Sequence, residues 1–487
     1  MFLVSPRLST NKAIFGIYSV CISVSVFLSY ADLGFLSAGQ KYAAEEFAKG
    51  NRELERRIIG FTGFILGLFV AILMLVFAFL AFSPQILIPS LEGNELSIAS
   101  KLLFLVTVGT PITVITRVAE MIFSVRVEEF RAQRIFIASS IVKIASVFFF
   151  FNNSQYDIVG YFAFMQLVNL IAGVSAIAFA NRLFQYDIKK LVRCFRFDKE
   201  LFAKTKDLAF SSLFTTIAWV LYYECDAFVI GRILGADKIA FYAIGFTLMS
   251  FTRSLLGGLF SPFVSRFNHH IGINDSDGLK KNFIQVVSIT LPIVVFGITA
   301  MVLLMKPLVY TWVGADYASS ISLARWLVCC NIFAFITSPG SILLSALERV
   351  RTMYSLGAIL PLVYWSGIGI TYKYLGIEAF AIWKFFAFGI TACVYWIVAL
   401  KYLKISAWGF LKRYALPNLL PLLLLFTITI TSSKKLPIQK GSSGLFLVLL
   451  VMTVSLFMSL VAVAVVNKEI RDMIISLWHR RKARVPR

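Results

Sequence analysis

Charge is scarce in this chain, acidic charge scarcer still, and histidine almost missing. Only 15% of the 487 residues are charged, while 59% are hydrophobic; an ordinary soluble domain carries roughly 25% charged residues. A soluble fold of this length cannot hide so much apolar surface, whereas a bilayer can, because lipid is itself an apolar solvent. The six cysteines (Cys21, Cys194, Cys225, Cys329, Cys330, Cys393) include no CxxC pair and fall mostly within apolar runs. That excludes a disulfide framework and a zinc-ligand spacing, and leaves them as small buried apolar residues. His269 and His270 are adjacent, so on a helix they point in different directions and make no metal site. A Walker motif and a nucleophile elbow are also missing, and neither a cofactor nor a metal is expected. No loop on the cation-poor side is longer than about fifteen residues, too short for a folded catalytic or receptor domain outside the membrane. The first apolar run, from about Ala13, leads into a loop of mixed charge rather than a small-residue cleavage site, so no cleavable signal is expected.

What the chain does have is long apolar runs in series. They lie at roughly 13–36, 59–82, 98–123, 135–151, 158–181, 207–230, 239–263, 283–306, 321–346, 353–371, 377–400, 415–431 and 444–466. A membrane helix needs about 20 mostly apolar residues. A barrel would show short alternating segments, and these runs are continuous. The sequence predicts an all-α polytopic membrane protein with about thirteen transmembrane helices.

The net charge of +22 would suit nucleic acid if it were clustered on a soluble domain. Instead Lys and Arg sit in short loops, and alternate loops divide sharply. Those after the odd-numbered spans, with the C-terminal tail, hold about 32 of them, and the opposite set about 8. The segment 182–206 and the tail from Asn467 are therefore expected in the cytoplasm. Lys434, Lys435 and Lys440 break the pattern. In the tail, Ile470, Met473, Ile474, Leu477 and Trp478 recur at helical spacing ahead of arginines, the pattern of a helix lying on an anionic membrane surface.

Ionisable residues inside the spans are costly and mark function by default, at least ~2.5–3.5 kcal/mol for a central charge. Seven are basic. Lys101 and Lys306 lie near span ends, where they snorkel. Arg325 is close to an end, and Arg117 has Glu120 three residues on, the spacing of an intrahelical ion pair. Lys143, Arg253 and Lys384 lie deeper, in spans from different parts of the chain. Arginine offers phosphate a planar fork and lysine a point charge, so Arg117, Lys143, Arg253, Arg325 and Lys384 are the candidates for a cationic substrate cavity. The acids Glu120, Glu224 and Asp226 are candidates for a coupling proton or sodium ion, with local ion pairing the alternative. Gly63 and Gly67 form a small-xxx-small pair expected to pack helices.

One stretch is distinctive: Asp32-Leu33-Gly34-Phe35-Leu36-Ser37-Ala38-Gly39-Gln40-Lys41-Tyr42, followed by Phe47-Ala48-Lys49-Gly50-Asn51 and Arg56-Arg57, and preceded by Phe15-Gly16-Ile17-Tyr18. Asp226, Ile230, Gly231, Leu234, Gly235 and Tyr242 form a second group, and Trp312, Gly314 and Tyr317 a third. A fainter echo of the first group, Phe267, Gly272, Leu279, Lys280 and Lys281, appears about 220 residues later. These motifs resemble the polysaccharide biosynthesis exporters, the Wzx-type O-antigen and capsule flippases of the MOP superfamily that also contains the multidrug MATE exporters. In that resemblance Asp32, Gly34, Gly39, Gln40 and Lys41 mark the junction between a span and a cytoplasmic helix. Gly50 reads as a helix C′ residue and Asn51 as the next N-cap.

The family usually has a complete helix before the FG-x-Y segment. Val4-Ser5-Pro6 looks like its end, so thirteen visible helices imply a family-like fourteen if an upstream one is missing. The resemblance implies two pseudo-symmetric helical lobes around a central cavity: residues 1–206, residues 207–406, and two extra spans with a basic tail in 407–487. It implies a flippase, not an enzyme, of a bacterial inner membrane. By alternating access it would carry an undecaprenyl-diphosphate-linked oligosaccharide, an O-antigen or capsule repeat unit, from the inner to the outer leaflet. Its partners would be the bilayer and polysaccharide polymerase and chain-length proteins, with no nucleic acid. A multidrug exporter, which would want deep carboxylates, and a peptidoglycan-precursor exporter are the alternatives within the superfamily. A polysaccharide polymerase or ligase, which would need a large outer loop, is the alternative from another class.

Overall fold

The structure, a computed structural model, describes residues 4–8, 11–27, 34–89, 91–152, 155–260, 263, 266–267, 270–271, 273, 275–347, 350–467 and 470–472. It is an all-α polytopic membrane protein. Among the described residues eleven helices are long and apolar enough to cross a membrane, and each falls on one of the expected spans. The remaining two expected spans take other forms. The first is the shorter helix Lys12–Phe27; the sixth is Lys199–Tyr223, which breaks at Glu224–Cys225 and resumes as Asp226–Leu234. Helix is the only open-ended way to pair every backbone group within a lipid-facing segment. Phe151–Asn152 and Gln155–Tyr156 pair antiparallel as two short strands, with Phe151 opposite Tyr156.

Local sequence sets the helix ends. The helix Phe35–Ala48 stops because Gly50 takes a left-handed φ of 78°. Its N–H then bonds to the Phe47 carbonyl, and the Asn51 N–H reaches back to the Glu46 carbonyl, both at 3.0 Å. That is a Schellman ending, open to glycine at small steric cost. Asn51 at once caps the next helix, Arg52–Phe82, its side chain accepting from the Leu54 N–H at 3.1 Å. Asp157, Asp187, Asp198 and Asp275 cap four later helices in the same manner.

The chain separates into two compact units, Met1–Ala240 and Phe241–Arg487. In the first, Arg52–Phe82 packs along Gly93–Ser124, which packs in turn along Ile158–Phe184. Within lipid, association rests on close packing rather than on expelling water, and small residues permit it. A Cβ at Gly16, in the Phe15–Tyr18 motif, would collide with the backbone carbonyl of Ala236. Gly63 sits against Phe195 and Val118, whereas Gly67 faces open space; of the expected packing pair only Gly63 makes the contact. At one end of the unit Phe35, Phe61, Met121 and Phe123 form a closed core, with Phe35 stacked on Phe202 at 5.8 Å between centroids.

In the second unit Glu378–Tyr402 lies against both Ser320–Ala346 and Val350–Leu375. Trp383 donates to the Thr371 hydroxyl at 2.8 Å, and buried Asn331 donates to the Met249 carbonyl at 3.0 Å. The turn after Met305–Trp312 is held by buried Trp312 and Tyr317 on either side of Gly314, whose φ is 107°. The final helices, Leu419–Ser433 and Ser442–Val466, pack on each other and on Ser276–Leu303 through Phe296, Ala300, Leu425 and Val463. Ile470 closes that cluster. The other residues of the expected amphipathic tail, Met473, Ile474, Leu477 and Trp478, lie outside the described residues.

Candidate functional site

Four helices of the first unit line a polar cavity of about 310 Å³, with Ser25 of Lys12–Phe27 among the lining residues. Gly93–Ser124 and Ile158–Phe184 are drawn close where Gln166 presses on Gly109, with its Cδ 2.6 Å from where a Cβ would stand. Pro111 lies between the lining residues Gly109 and Ile112 and removes a helical N–H from that helix. The third helix, Glu129–Phe150, brings Lys143, whose Nζ donates to Asn169 Oδ1 at 2.9 Å. Arg117 Nη1 lies 3.0 Å from Glu120 Oε2 across one helical turn, both side chains about three-tenths exposed into the same space. Of the sequence candidates, the structure thus brings Arg117, Glu120 and Lys143 to one cavity. Asn169, absent from the sequence candidates, anchors the lysine. A neutral asparagine inside an apolar span carries no charge pattern, and its only signal was its depth in span 158–181.

The other three cations belong to the second unit. Lys384 is fully buried in Glu378–Tyr402, its ammonium 5.2 Å from the Tyr364 ring centroid and 5.5 Å from that of Phe246. Such a cation is held against the negative ring faces. Arg253 is half-buried on Ala236–Gly257, and Arg325 is exposed near the start of Ser320–Ala346.

Glu224 and Asp226 are both buried where Lys199–Tyr223 breaks. The Val220 carbonyl accepts from the N–H groups of Glu224 and Cys225 at 3.0 and 3.3 Å, which closes the first helix so that Asp226 can open the next. In the junction motif, Gly34 takes a left-handed φ of 79°, Gly39 packs against Thr62 and Met121, Gln40 is half-buried, and exposed Lys41 sits beside the Tyr42 ring at 5.6 Å. Asp32 lies outside the described residues.

Sequence reasoning missed a charge network beside that junction. Arg126 and Glu55 form an ion pair at 2.6 Å, with side chains 4% and 0% exposed. The Arg126 guanidinium lies over Phe47, Phe184 and Tyr186 at 4.8–5.0 Å and donates to the Ile122 carbonyl at 2.9 Å. Around it, Arg57 bonds Asp198 at 2.6 Å, and Lys49 and Lys204 approach Glu46 at 3.0 and 3.6 Å. The guanidinium beside Asp198 holds its carboxyl below the usual range, and the Lys49 ammonium does the same for Glu46. Apart from Lys49 and Glu46, which are three residues apart, these partners come from distant helices, and loop charges in sequence look alike whether paired or solvated. A second cavity, of about 510 Å³, lies at one end of the second unit between the start of Ser276–Leu303 and Lys404. At its edge His270 Nδ1 is 3.1 Å from Asp275 Oδ2.

Helices crossing a membrane, a polar cavity holding cations at bilayer depth, and packing by small residues define a multi-pass membrane transporter. Residues 11–267, more than half of the chain, match the polysaccharide biosynthesis protein family, and the chain belongs to that family. No curated protein matches it in sequence. Among solved structures, the lipid II flippase MurJ in an inward closed conformation superposes with a TM-score of 0.67 at 15% identity, covering 96% of this chain and 99% of that one. An inward-facing multidrug resistance MATE family transporter of the MOP superfamily gives 0.63 at 16%, covering 84% and 97%. A MOP superfamily transporter from Pyrococcus furiosus, described as having a binding pocket of reverse polarity, gives 0.54 at 15%, covering 83% and 94%. At such identities the likeness speaks to fold: the chain has the fold of MOP-superfamily transporters. The expected resemblance to polysaccharide exporters of that superfamily holds. The family and these neighbours are transporters and flippases rather than enzymes.

Proposed function

We propose that the protein is a flippase that moves an undecaprenyl-diphosphate-linked oligosaccharide, an O-antigen or capsule repeat unit, across the bacterial cytoplasmic membrane. The observation that carries this reading is the meeting of Arg117 and Lys143, with Glu120 and Asn169, in one polar cavity within the membrane-spanning helices. A polar head cannot cross hydrocarbon without such a lining, and cations inside it favour an anionic cargo over the organic cations of a multidrug exporter. The cation-rich loops and the C-terminal tail face the cytoplasm. The head group enters from that side, while its lipid tail stays in the bilayer. Arg253 and Arg325 supply the charge of the second unit. Lys384 joins this set in a state in which the rings of Phe246 and Tyr364 part from it. Glu120, Glu224 and Asp226 are the carboxylates available to a coupling ion. Polymerase and chain-length proteins take up the product.

A second reading, export of a peptidoglycan precursor, draws on the likeness to the lipid II flippase, which extends over 96% of the chain. One experiment separates the two. The full chain is reconstituted in vesicles holding either prenyl-diphosphate-linked oligosaccharides or a peptidoglycan precursor, and the head groups reaching the outer face are counted with a glycan-modifying enzyme. The expected result is crossing of the oligosaccharide carriers, reduced at least tenfold by Lys143→Ala and by Arg253→Ala. Crossing of the precursor alone would establish the second reading, and crossing of neither would overturn both.

A further inference from the structure

We propose that the segment 434–440, between the last two helices, holds the diphosphate of the prenyl-linked lipid at the outer membrane surface as that lipid leaves the protein. The proposal rests on the flippase reading above, with the C-terminal tail in the cytoplasm, and names where the product is met on the opposite side.

This segment is the exception to the charge rule. Lys434, Lys435 and Lys440 fall close together on the side where short loops carry few cations. Helix ends account for part of this. Lys434 is the C-cap of Leu419–Ser433, where the helix dipole favours a cation. Lys440 stands just ahead of Ser442–Val466, where the dipole disfavours one. The Asp316 carboxylate acts on Lys440. Lys434 and Lys435 are exposed and make no ion pair among the described residues. The segment therefore keeps a surplus of positive charge.

These cations are held in place. Leu436 is buried, and the Gly441 N–H donates to the Thr311 carbonyl at 3.1 Å. Lys440 Cδ lies 3.6 Å from where a Cβ on Gly314 would stand, and Gly444 is pressed between Thr311 and Pro437. The segment is thus pinned to the turn after Met305–Trp312. The two helices that it joins pack on each other, so its ends stand about one helix spacing apart, ~8–10 Å. Lysine arms are long enough to gather on one anion across that gap.

Depth selects the partner. The apolar helix Leu416–Ser433 has 18 residues, about 27 Å at 1.5 Å per residue, against ~30 Å of hydrocarbon. So short a span draws Lys434 and Lys435 to the level of the lipid phosphates instead of setting them out in water. Beside them Ile438 is 55% exposed, an apolar side chain suited to the acyl boundary next to cations. A soluble anion would leave Ile438 in water, whereas a lipid-borne anion covers it. A phospholipid phosphodiester brings one charge. A diphosphate brings several, which suits three ammonium point charges.

The test is photolabelling of the full chain in phosphatidylcholine vesicles. The probe is a prenyl diphosphate carrying a diazirine beside the diphosphate, and the labelled peptides are then mapped. Label is expected on the stretch 434–440. Undecaprenyl diphosphate is expected to displace it, while equal amounts of phosphatidylglycerol, inorganic diphosphate or polyglutamate are not. Lys434→Gln/Lys435→Gln/Lys440→Gln is expected to lower this label at least tenfold. Lys435→Gln alone is expected to lower it severalfold, and it decides the matter if the triple variant does not fold. Absence of label here, or displacement by phosphatidylglycerol or inorganic diphosphate, would overturn the proposal. Displacement by polyglutamate would also overturn it and assign the segment to an acidic protein partner. Vesicles that flip oligosaccharide carriers with no label on this stretch would sink the proposal and leave the flippase reading intact. Label on this stretch in vesicles that flip no carrier would sink the flippase reading and keep the diphosphate site.

Discussion

Glu55 and Arg126 form a buried ion pair, with 2.6 Å between Oε1 and Nη2, that ties the start of Arg52–Phe82 to the end of Gly93–Ser124. Removing Arg126 leaves the buried Glu55 with only the exposed Arg52 at 3.3 Å, and removing Glu55 strands the buried guanidinium; breaking such a pair costs about 3–5 kcal/mol. Arg126→Ala and Glu55→Gln are each therefore expected to lower the thermal midpoint in detergent. The double variant Glu55→Gln/Arg126→Met, with no charge left to strand, is expected to recover much of the loss. Equal losses in the single and double variants would contradict this account.

The residue after Arg126 is strained. Val127 has a φ of 59° and is 87% exposed. A β-branched side chain in the left-handed region is unfavourable by about 1–2 kcal/mol, and glycine adopts that backbone freely. Val127→Gly is expected to stabilise the first unit by about 1 kcal/mol, read as a rise in the thermal midpoint. A fall would show that the valine side chain makes a compensating contact.

Gly16 stands where any Cβ would overlap the Ala236 carbonyl. Backbone cannot yield as the tip of a flexible side chain can. Gly16→Ala is expected to cost about 1–3 kcal/mol, the usual range for overpacking. Gly67→Ala, where nothing lies within 4 Å, is expected to be neutral or slightly stabilising. The comparison of the two melts distinguishes close packing from a general intolerance of these helices to alanine.

Acid should loosen the charged end of the first unit and the start of Ser276–Leu303. Asp198 is held below the ordinary carboxylate range by the Arg57 guanidinium, Glu46 by the Lys49 ammonium, and Asp275 by the Gly278 N–H. A depressed carboxyl contributes stability above its unfolded value, ~4 for Asp and Glu, and loses it as pH falls through its lower folded value. The thermal midpoint is expected to hold from neutrality to about pH 4 and to fall below that. Asp198→Asn is expected to flatten the fall. A midpoint that drops between pH 7 and 5 would point to other groups.

Much of this molecule could be read from one-dimensional pattern. Apolar runs of membrane length state the helices, because the bilayer forces every backbone group to pair within its own segment. Gly50 and Asn51 state the ending of one helix and the start of the next, because those bonds lie within six residues. The break at Glu224–Cys225 was hidden inside an apolar run, since hydropathy is blind to where a helix interrupts. The cationic candidates were legible as a set, because a charge in an apolar run is conspicuous whatever it touches.

Partnership was beyond the reach of the sequence. That Lys143 meets Asn169 and shares a cavity with Arg117 and Glu120, while Lys384 is buried against Tyr364 and Phe246, depends on how helices far apart in the chain rotate and pack. The same holds for Glu55 and Arg126, two ordinary loop charges in sequence and a buried pair in space. Composition and periodicity determined that this is a multi-pass helical membrane protein with cations at bilayer depth, since those properties are local to each segment. The tertiary structure alone decided which cations face a cavity and which lie against aromatic rings, since both are set by side chains meeting across helices.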